Sequence, residues 1–166
     1  MSRQLLDRTV AGGTESLVVF TLDEQLYGLR LDVVERVVSA CWVAPIPMAP
    51  EIVLGAINMR GQVIPVVNTR RRLGLAEREL GISDQFVIVR TSQRRFALAV
   101  DTVREVFELS GADVVPSAEI LPGLEHIEGI ARLPGGLILV HDVTRFLSLD
   151  EETALAEAMR PKGDSP

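Results

Sequence analysis

Few side chains in this 166-residue chain are of the types that carry out covalent chemistry. The histidines are His126 and His141, and the single thiol is Cys41. His141-Asp142 has the outline of a metal-dependent phosphohydrolase pair, in which imidazole and carboxylate would hold a divalent ion that activates water. A structural zinc site needs four clustered Cys or His ligands, and no such spacing occurs. Nor is there a Gly-x-Ser-x-Gly elbow, a phosphate-cradling loop or a dinucleotide fingerprint. His141-Asp142 reads more simply as a strand-end histidine followed by a turn-forming aspartate. The expectation is a non-enzyme without metal or cofactor. A small hydrolase built on His141 and Asp142 is the less favoured alternative, and a small-ligand sensor would need an enclosed pocket.

Binding chemistry is better represented. Arg70-Arg71-Arg72 is the one basic run. It reads as the solvated face of a short helix with Leu73 turned inward, or as a contact for an acidic protein surface. Asn58-Met59-Arg60-Gly61 is more specific. Glycine permits a tight turn, Asn58 can satisfy local backbone groups, and Arg60 would project a planar fork of donors suited to a carboxylate.

The elements that must position these residues are written twice. When Tyr27 is laid over Phe96, Leu29 meets Leu98, Leu31 meets Val100, Asp32 meets Asp101, Val34 meets Val103 and Val37 meets Val106. At a slightly longer offset Gly55 meets Gly129, Gly61 meets Gly135, Ile64 meets Ile138, Val66 meets Val140 and Asn68 meets Asp142. Two such copies imply two β-rich subdomains related by a pseudo-two-fold axis, with a seam between them. Alternation predicts strands from Leu17, at Tyr27–Leu31 and at Val33–Val38. Three prolines between Pro45 and Pro50 mark a connection, with a short helical turn at Pro50–Val53. Hairpins follow at 55–68, pinched at Arg60-Gly61, and at 129–142, turning at Pro134-Gly135-Gly136. Thr69–Leu73 is a short helix closed by Gly74, and residues 75–83 are a polar crossover. Ser148 with Glu151 forms a capping box for a final helix whose apolar stripe would be Leu149, Leu155 and Met159.

Hydrophobic residues make up 47% of the chain and aromatics only 4%, so the core is Val, Ile and Leu on pleated surfaces. The fold class expected from the residues is mainly β: two small curled sheets or barrels with short helices and a C-terminal helix. A flexible arm is expected over residues 1–14 and the main domain over 15–149, its subdomains at about 15–80 and 81–149. Residues 150–166 would be helix and tail. A net charge of −6 disfavours nucleic acid and anionic lipid. Without a long apolar run or h-region, and with one cysteine, the expected location is cytoplasmic, with no direct membrane insertion.

The run Gly55-Ala56-Ile57-Asn58-Met59-Arg60-Gly61-Gln62-Val63-Ile64-Pro65-Val66-Val67-Asn68 resembles the hallmark segment of the CheW family of chemotaxis coupling proteins. Phe20-Thr21-Leu22, Tyr27-Gly28-Leu29 and Val34-Glu35-Arg36-Val37 are similar to the family's opening, and Val100-Asp101-Thr102-Val103-Arg104-Glu105-Val106 to a later block. The resemblance spans about residues 16–149. It implies two SH3-like five-stranded β-barrels related by the duplication, and a non-enzymatic adaptor that joins the cytoplasmic tip of a methyl-accepting chemoreceptor to the regulatory domain of a CheA-type histidine kinase. A related pathway, controlling twitching motility or gene regulation, is the alternative. Carried over by position, Val18, Leu31 and Val34 fall on a kinase-facing surface, and Val37, Asn58, Arg60 and Val103 fall in or near a receptor groove. Two positions depart from the pattern. Met59 stands where leucine is usual, and Arg36 stands where a glutamate often pairs with the hallmark arginine, Glu35 being one residue early.

Overall fold

The computed structural model describes residues 14–110, 114–116, 127–133 and 136–160. The first copy of the repeat supplies β1 (Thr14–Leu22), β2 (Gln25–Arg30), β3 (Val34–Ser39), β4 (Val53–Met59), β5 (Gln62–Val67) and the short helix α1 (Thr69–Arg72). The second supplies β6 (Gln85–Arg90), β7 (Arg95–Val100), β8 (Thr102–Ser110), β9 (Val114–Pro116), β10 (Ile127–Leu133) and β11 (Gly136–His141). Helix α2 (Leu149–Ala158) follows. The arm expected over residues 1–14 lies outside the described residues except for Thr14, which opens β1. The tail from 161 onward and the turn residues Pro134 and Gly135 also lie outside them.

The strands form two sheets, ordered β8-β1-β2-β11-β10-β9 and β3-β6-β7-β5-β4. This is the mainly β, SH3-like arrangement expected, but the sheets do not follow the copies. Each combines the first two strands of one copy, β1 and β2 or β6 and β7, with the later strands of the other, so a cut near residue 80 separates repeats without separating sheets. The two-fold relation holds in the register. Val18↔Val106 in one sheet is matched by Val37↔Val87 in the other. The parallel pair Gly28↔Val140 is matched by Ala97↔Val66. Bulges recur at equivalent places: β3 bulges at Glu35 as β8 does at Arg104, and β4 at Leu54 as β10 does at Glu128.

Alternation decides which core each side chain joins. Leu17 and Val19 face a cluster with Ile138 and Val140 in the first sheet, and Phe86, Ile88 and Ala97 face one with Ile64 and Val66 in the second. Their neighbours Phe20, Leu22, Val87, Val89, Phe96 and Leu98 point the other way into a third cluster with Phe146 and Leu155. That cluster draws on both sheets and both copies and is the seam. Strands such as Phe86-Val87-Ile88-Val89 are therefore buried on both faces, which accounts for their unbroken apolar character.

The capping box of α2 forms as expected: Ser148 Oγ accepts from the Glu151 N–H at 3.1 Å, and the Ser148 N–H donates to the Glu151 carboxylate at 2.8 Å. Leu155 is fully buried and Met159 packs on the seam. Leu149 is 84% exposed, so the expected three-residue stripe loses its first member. Leu149 lies six residues before Leu155, about 240° around the helix, and so faces away from the seam that Phe146 and Leu147 have already entered. Pro50–Val53 is a single turn closed by the Val53 N–H on the Pro50 carbonyl at 2.9 Å.

Gly55 is required by packing. Its φ is +152°, and a Cβ there would lie 2.2 Å from the Ala44 carbonyl oxygen, which pairs with Ala56. Gly61 has φ +86° with open space around it. Gly55→Ala should therefore cost about 3 kcal/mol or more, through backbone strain and a clash with main chain. Gly61→Ala should cost about 1 kcal/mol, from φ alone. Urea unfolding of the two variants checks this; equal losses would show that the Ala44 approach is not the constraint.

Candidate functional site

His141 is buried where β11 ends, its ring 5.1 Å from that of Tyr27 and 5.7 Å from that of Phe146. Asp142 caps the following 3₁₀ turn, accepting from the Thr144 N–H at 3.0 Å and its hydroxyl at 2.6 Å. The pair thus serves packing and capping. Among the described residues no cluster of three or more His, Cys, Asp or Glu side chains is placed to hold a metal ion. His126 lies outside the described residues.

The β4–β5 hairpin turns through Arg60 (φ +52°) and Gly61 (φ +86°), a two-residue turn with both central φ positive, which matches the twist of the flanking strands. Asn58 Oδ1 accepts the Gly61 N–H at 2.9 Å and fixes the turn. Arg60 pays for its left-handed backbone with an exposed position at the tip, and among the described residues it has no ion-pair partner. Glu35 sits in the same hollow of about 260 Å³ with Arg36, Met59 and Arg60. Its carboxylate instead meets Arg95 Nε at 2.7 Å and Arg90 at 3.5 Å, while Arg95 also bonds Gln62. The bulge re-aims Glu35 across the sheet toward β6 and β7, and Arg60 remains available.

Of the other residues carried over by resemblance, Val37 is exposed on β3. Val103 is half-buried against the seam, its N–H donating to Gln85 Oε1 at 2.7 Å. Gln85 opens β6, whereas the Arg60 hollow lies toward Arg95, beside the far end of that strand. Val103 and Arg60 are therefore about a strand's length, ~17 Å, apart. Leu31 is exposed on the 3₁₀ turn Leu31–Val33, and Val34 is half-buried against the seam. Val18 must be corrected as a surface residue: it is 4% exposed, held between β2 and β8 by Leu29 and Val106 on either side. A strand paired on both edges and covered on both faces leaves a partner nothing to touch.

The basic run also needs correction. Only Arg71 is exposed; Arg72 reaches Glu151 at 2.6 Å, and Arg70 is buried. Arg70 binds Asp23 at 2.9 Å and Asp101 at 2.8 Å, tying α1 to the β1–β2 turn and the β7–β8 corner. The hydrogen bond from Arg70 holds the Asp23 carboxyl below its ordinary range, and Asp23 in turn raises Arg70. Arg78 shares Asp101 at 2.7 Å and grips Asp84 at 2.8 Å. A second charged group is buried in the other sheet: Arg30, 3% exposed, pairs with Glu15 and Glu128. Burial pushes the Glu128 carboxyl up despite Arg30. Reading by composition missed both networks, since their carboxylates are scattered along the chain. The one available signal was the position of Asp23 and Asp101 at turns flanked by apolar strands. Trp42 was missed too; it is 79% exposed beside a broad groove.

Residues 16–151 match the family model described as the CheW-like domain. The chain is 32% identical over 146 residues to "Chemotaxis protein CheW" of Treponema pallidum, covering 84% of this chain and 86% of that one. It is 26% identical over 147 residues to the protein of the same name from Rhizobium meliloti, covering 87% and 95%. Among solved structures, the scaffolding protein TtCheW from Thermoanaerobacter tengcongensis superposes with a TM-score of 0.77 at 29% identity, covering 84% of this chain and 96% of that one.

The Arg78 grip on Asp84 gives a pH-dependent test. Hydrogen bonding from Arg78 holds the Asp84 carboxyl below 3.8, burial opposes this, and the Gly81 N–H at 2.7 Å adds to the lowering. A lowered carboxylate contributes stability that is present above its unfolded value and lost as pH falls through its folded value. Asp84→Asn should cost about 1–2 kcal/mol at neutral pH, allowing for the solvent exposure of Arg78. The gap from wild type should narrow as pH falls below 3.8, the ordinary aspartate value, and through the lowered folded one. Denaturant titrations at neutral and acidic pH test this; a gap unchanged by pH would mean the ionised carboxylate is not its source.

Proposed function

This chain belongs to the CheW-like domain family, and we propose that it is a non-enzymatic adaptor joining a chemoreceptor's cytoplasmic tip to the regulatory domain of a CheA-type histidine kinase. Its work is binding and geometry, and its setting is the cytoplasm. The observation that carries this reading is the β4–β5 hairpin: an arginine with no carboxylate partner among the described residues, held at the tip of a two-residue turn. A donor fork held this way is suited to orienting a partner's polar groups. Exposed Val37 on β3 of the same sheet supplies apolar area. Receptor contact is assigned to Val37, Asn58 and Arg60, and by resemblance also to Val103, on β8 of the other sheet. Kinase contact is assigned to Leu31, with Val34 as its support from beneath.

Arg60→Glu should weaken association with a receptor cytoplasmic fragment by about tenfold or more, the ~1.4 kcal/mol expected of an interface charge reversal. Because the side chain is exposed, circular dichroism and melting should be unchanged. Full recruitment of a folded Arg60→Glu protein would remove the hairpin from the receptor site. Leu31→Asp should lower affinity for the kinase regulatory domain in calorimetry by about tenfold while leaving the melting temperature near wild type. Val34→Asp should also lower the melting temperature, because it faces the seam. Unchanged kinase affinity in Leu31→Asp would place the kinase contact elsewhere.

A further inference from the structure

A broad hollow of about 1040 Å³ lies remote from the Arg60 turn: Leu54 at its rim and Arg60 stand at opposite ends of β4. Trp42, the only tryptophan of the chain, is 79% exposed on this rim, with exposed Leu54 and Leu80 beside it. Burying an exposed tryptophan and two leucines is the kind of gain that anchors an interface.

The internal repeat shows what chemistry the hollow suits. Laying Tyr27 over Phe96 places Arg30 over Ala99 and Glu15 over Asp84, and laying Gly55 over Gly129 places Leu54 over Glu128. In the first sheet that position is filled from within by the Arg30 guanidinium between Glu15 and Glu128, and only about 10 Å³ remains. In the second sheet Ala99 brings no cation, Asp84 remains, and the space is open. The arginines that do reach it are already engaged, Arg70 by Asp23 and Asp101 and Arg78 by Asp84 and Asp101, so an incoming anion finds no free cation. Glu79 on the rim has no ion-pair partner among the described residues, and Glu77 meets Arg71 only at 3.8 Å. The surplus charge is negative.

We propose that this groove docks a partner polypeptide segment carrying an arginine or lysine beside bulky apolar side chains. The cation lies against Glu79 and the face of Trp42, and the apolar groups lie on Leu54 and Leu80. The groove does not depend on which protein the Arg60 hairpin engages, and it is open to a partner while the hairpin is occupied.

Trp42 is its own reporter. The full-length protein is titrated with an acetylated, amidated hexapeptide of alternating leucine and arginine, and with its leucine–glutamate counterpart, while tryptophan emission is followed. The arginine peptide should give a saturable shift, and the glutamate peptide should bind at least about tenfold more weakly. Glu79→Lys and Leu80→Ser, both at exposed positions, should each weaken the arginine peptide by about tenfold, and Arg60→Glu should leave the titration unchanged. Absence of a saturable response to the arginine peptide, or equal responses to the two peptides, would overturn the proposal. A shift that follows protein concentration alone would also overturn it, since a second copy would then be the occupant.

Discussion

The structure depends on an exchange: each sheet is completed by strands from the other copy of the repeat. Four joints carry it: β1 against β8 and β3 against β6, both antiparallel, and the short parallel pairs β2 against β11 and β5 against β7. Because residues distant in sequence must meet before either sheet can close, neither copy contains a complete core. The seam cluster follows directly, since strands shared between sheets present one face to their own sheet's cluster and the other to the common one. Loss of the seam would open both sheets at once, so the fold should be gained or lost as one cooperative unit, with the slow closure typical of non-local pairing. For the proposed adaptor role this matters, because its surfaces keep fixed positions relative to one another.

Much of this was legible in the residues. The duplication, the Arg60-Gly61 turn, the Ser148–Glu151 capping box and the Gly74 stop all rest on local rules, and the structure contains each of them. The exchange was not legible. Turn residues say where a strand ends, but nothing in β2 or β5 names a parallel partner more than a hundred or thirty residues away respectively. Val18, placed on a kinase-facing surface by resemblance alone, is buried, because its strand is paired on both edges. Arg70 was misread as solvated because its carboxylates, Asp23 and Asp101, are close only after folding. The doubt about Arg36 and Glu35 was well founded in physical terms. The bulge turns Glu35 toward Arg95 and leaves Arg60 without that partner.

The two copies have kept their backbone and changed their side chains. Bulges, parallel joints and turns repeat, whereas Arg30, Glu15 and Glu128 give way to Ala99, Asp84 and Leu54. One lobe thereby closes over a buried ion cluster and the other opens a groove beside Trp42. Backbone geometry maintains the scaffold, and divergence at a few equivalent positions gives its faces different chemistry. An adaptor needs this combination, because it must hold unlike proteins at once on one rigid body.

The most direct test is kinase autophosphorylation in a purified mixture of receptor cytoplasmic fragment, CheA-type kinase and this chain. The account predicts that receptor controls the phosphorylation rate only when the chain is present, and that one assembly contains all three components. Equal receptor control without the chain, or mutual displacement of receptor and kinase from it, would contradict the account.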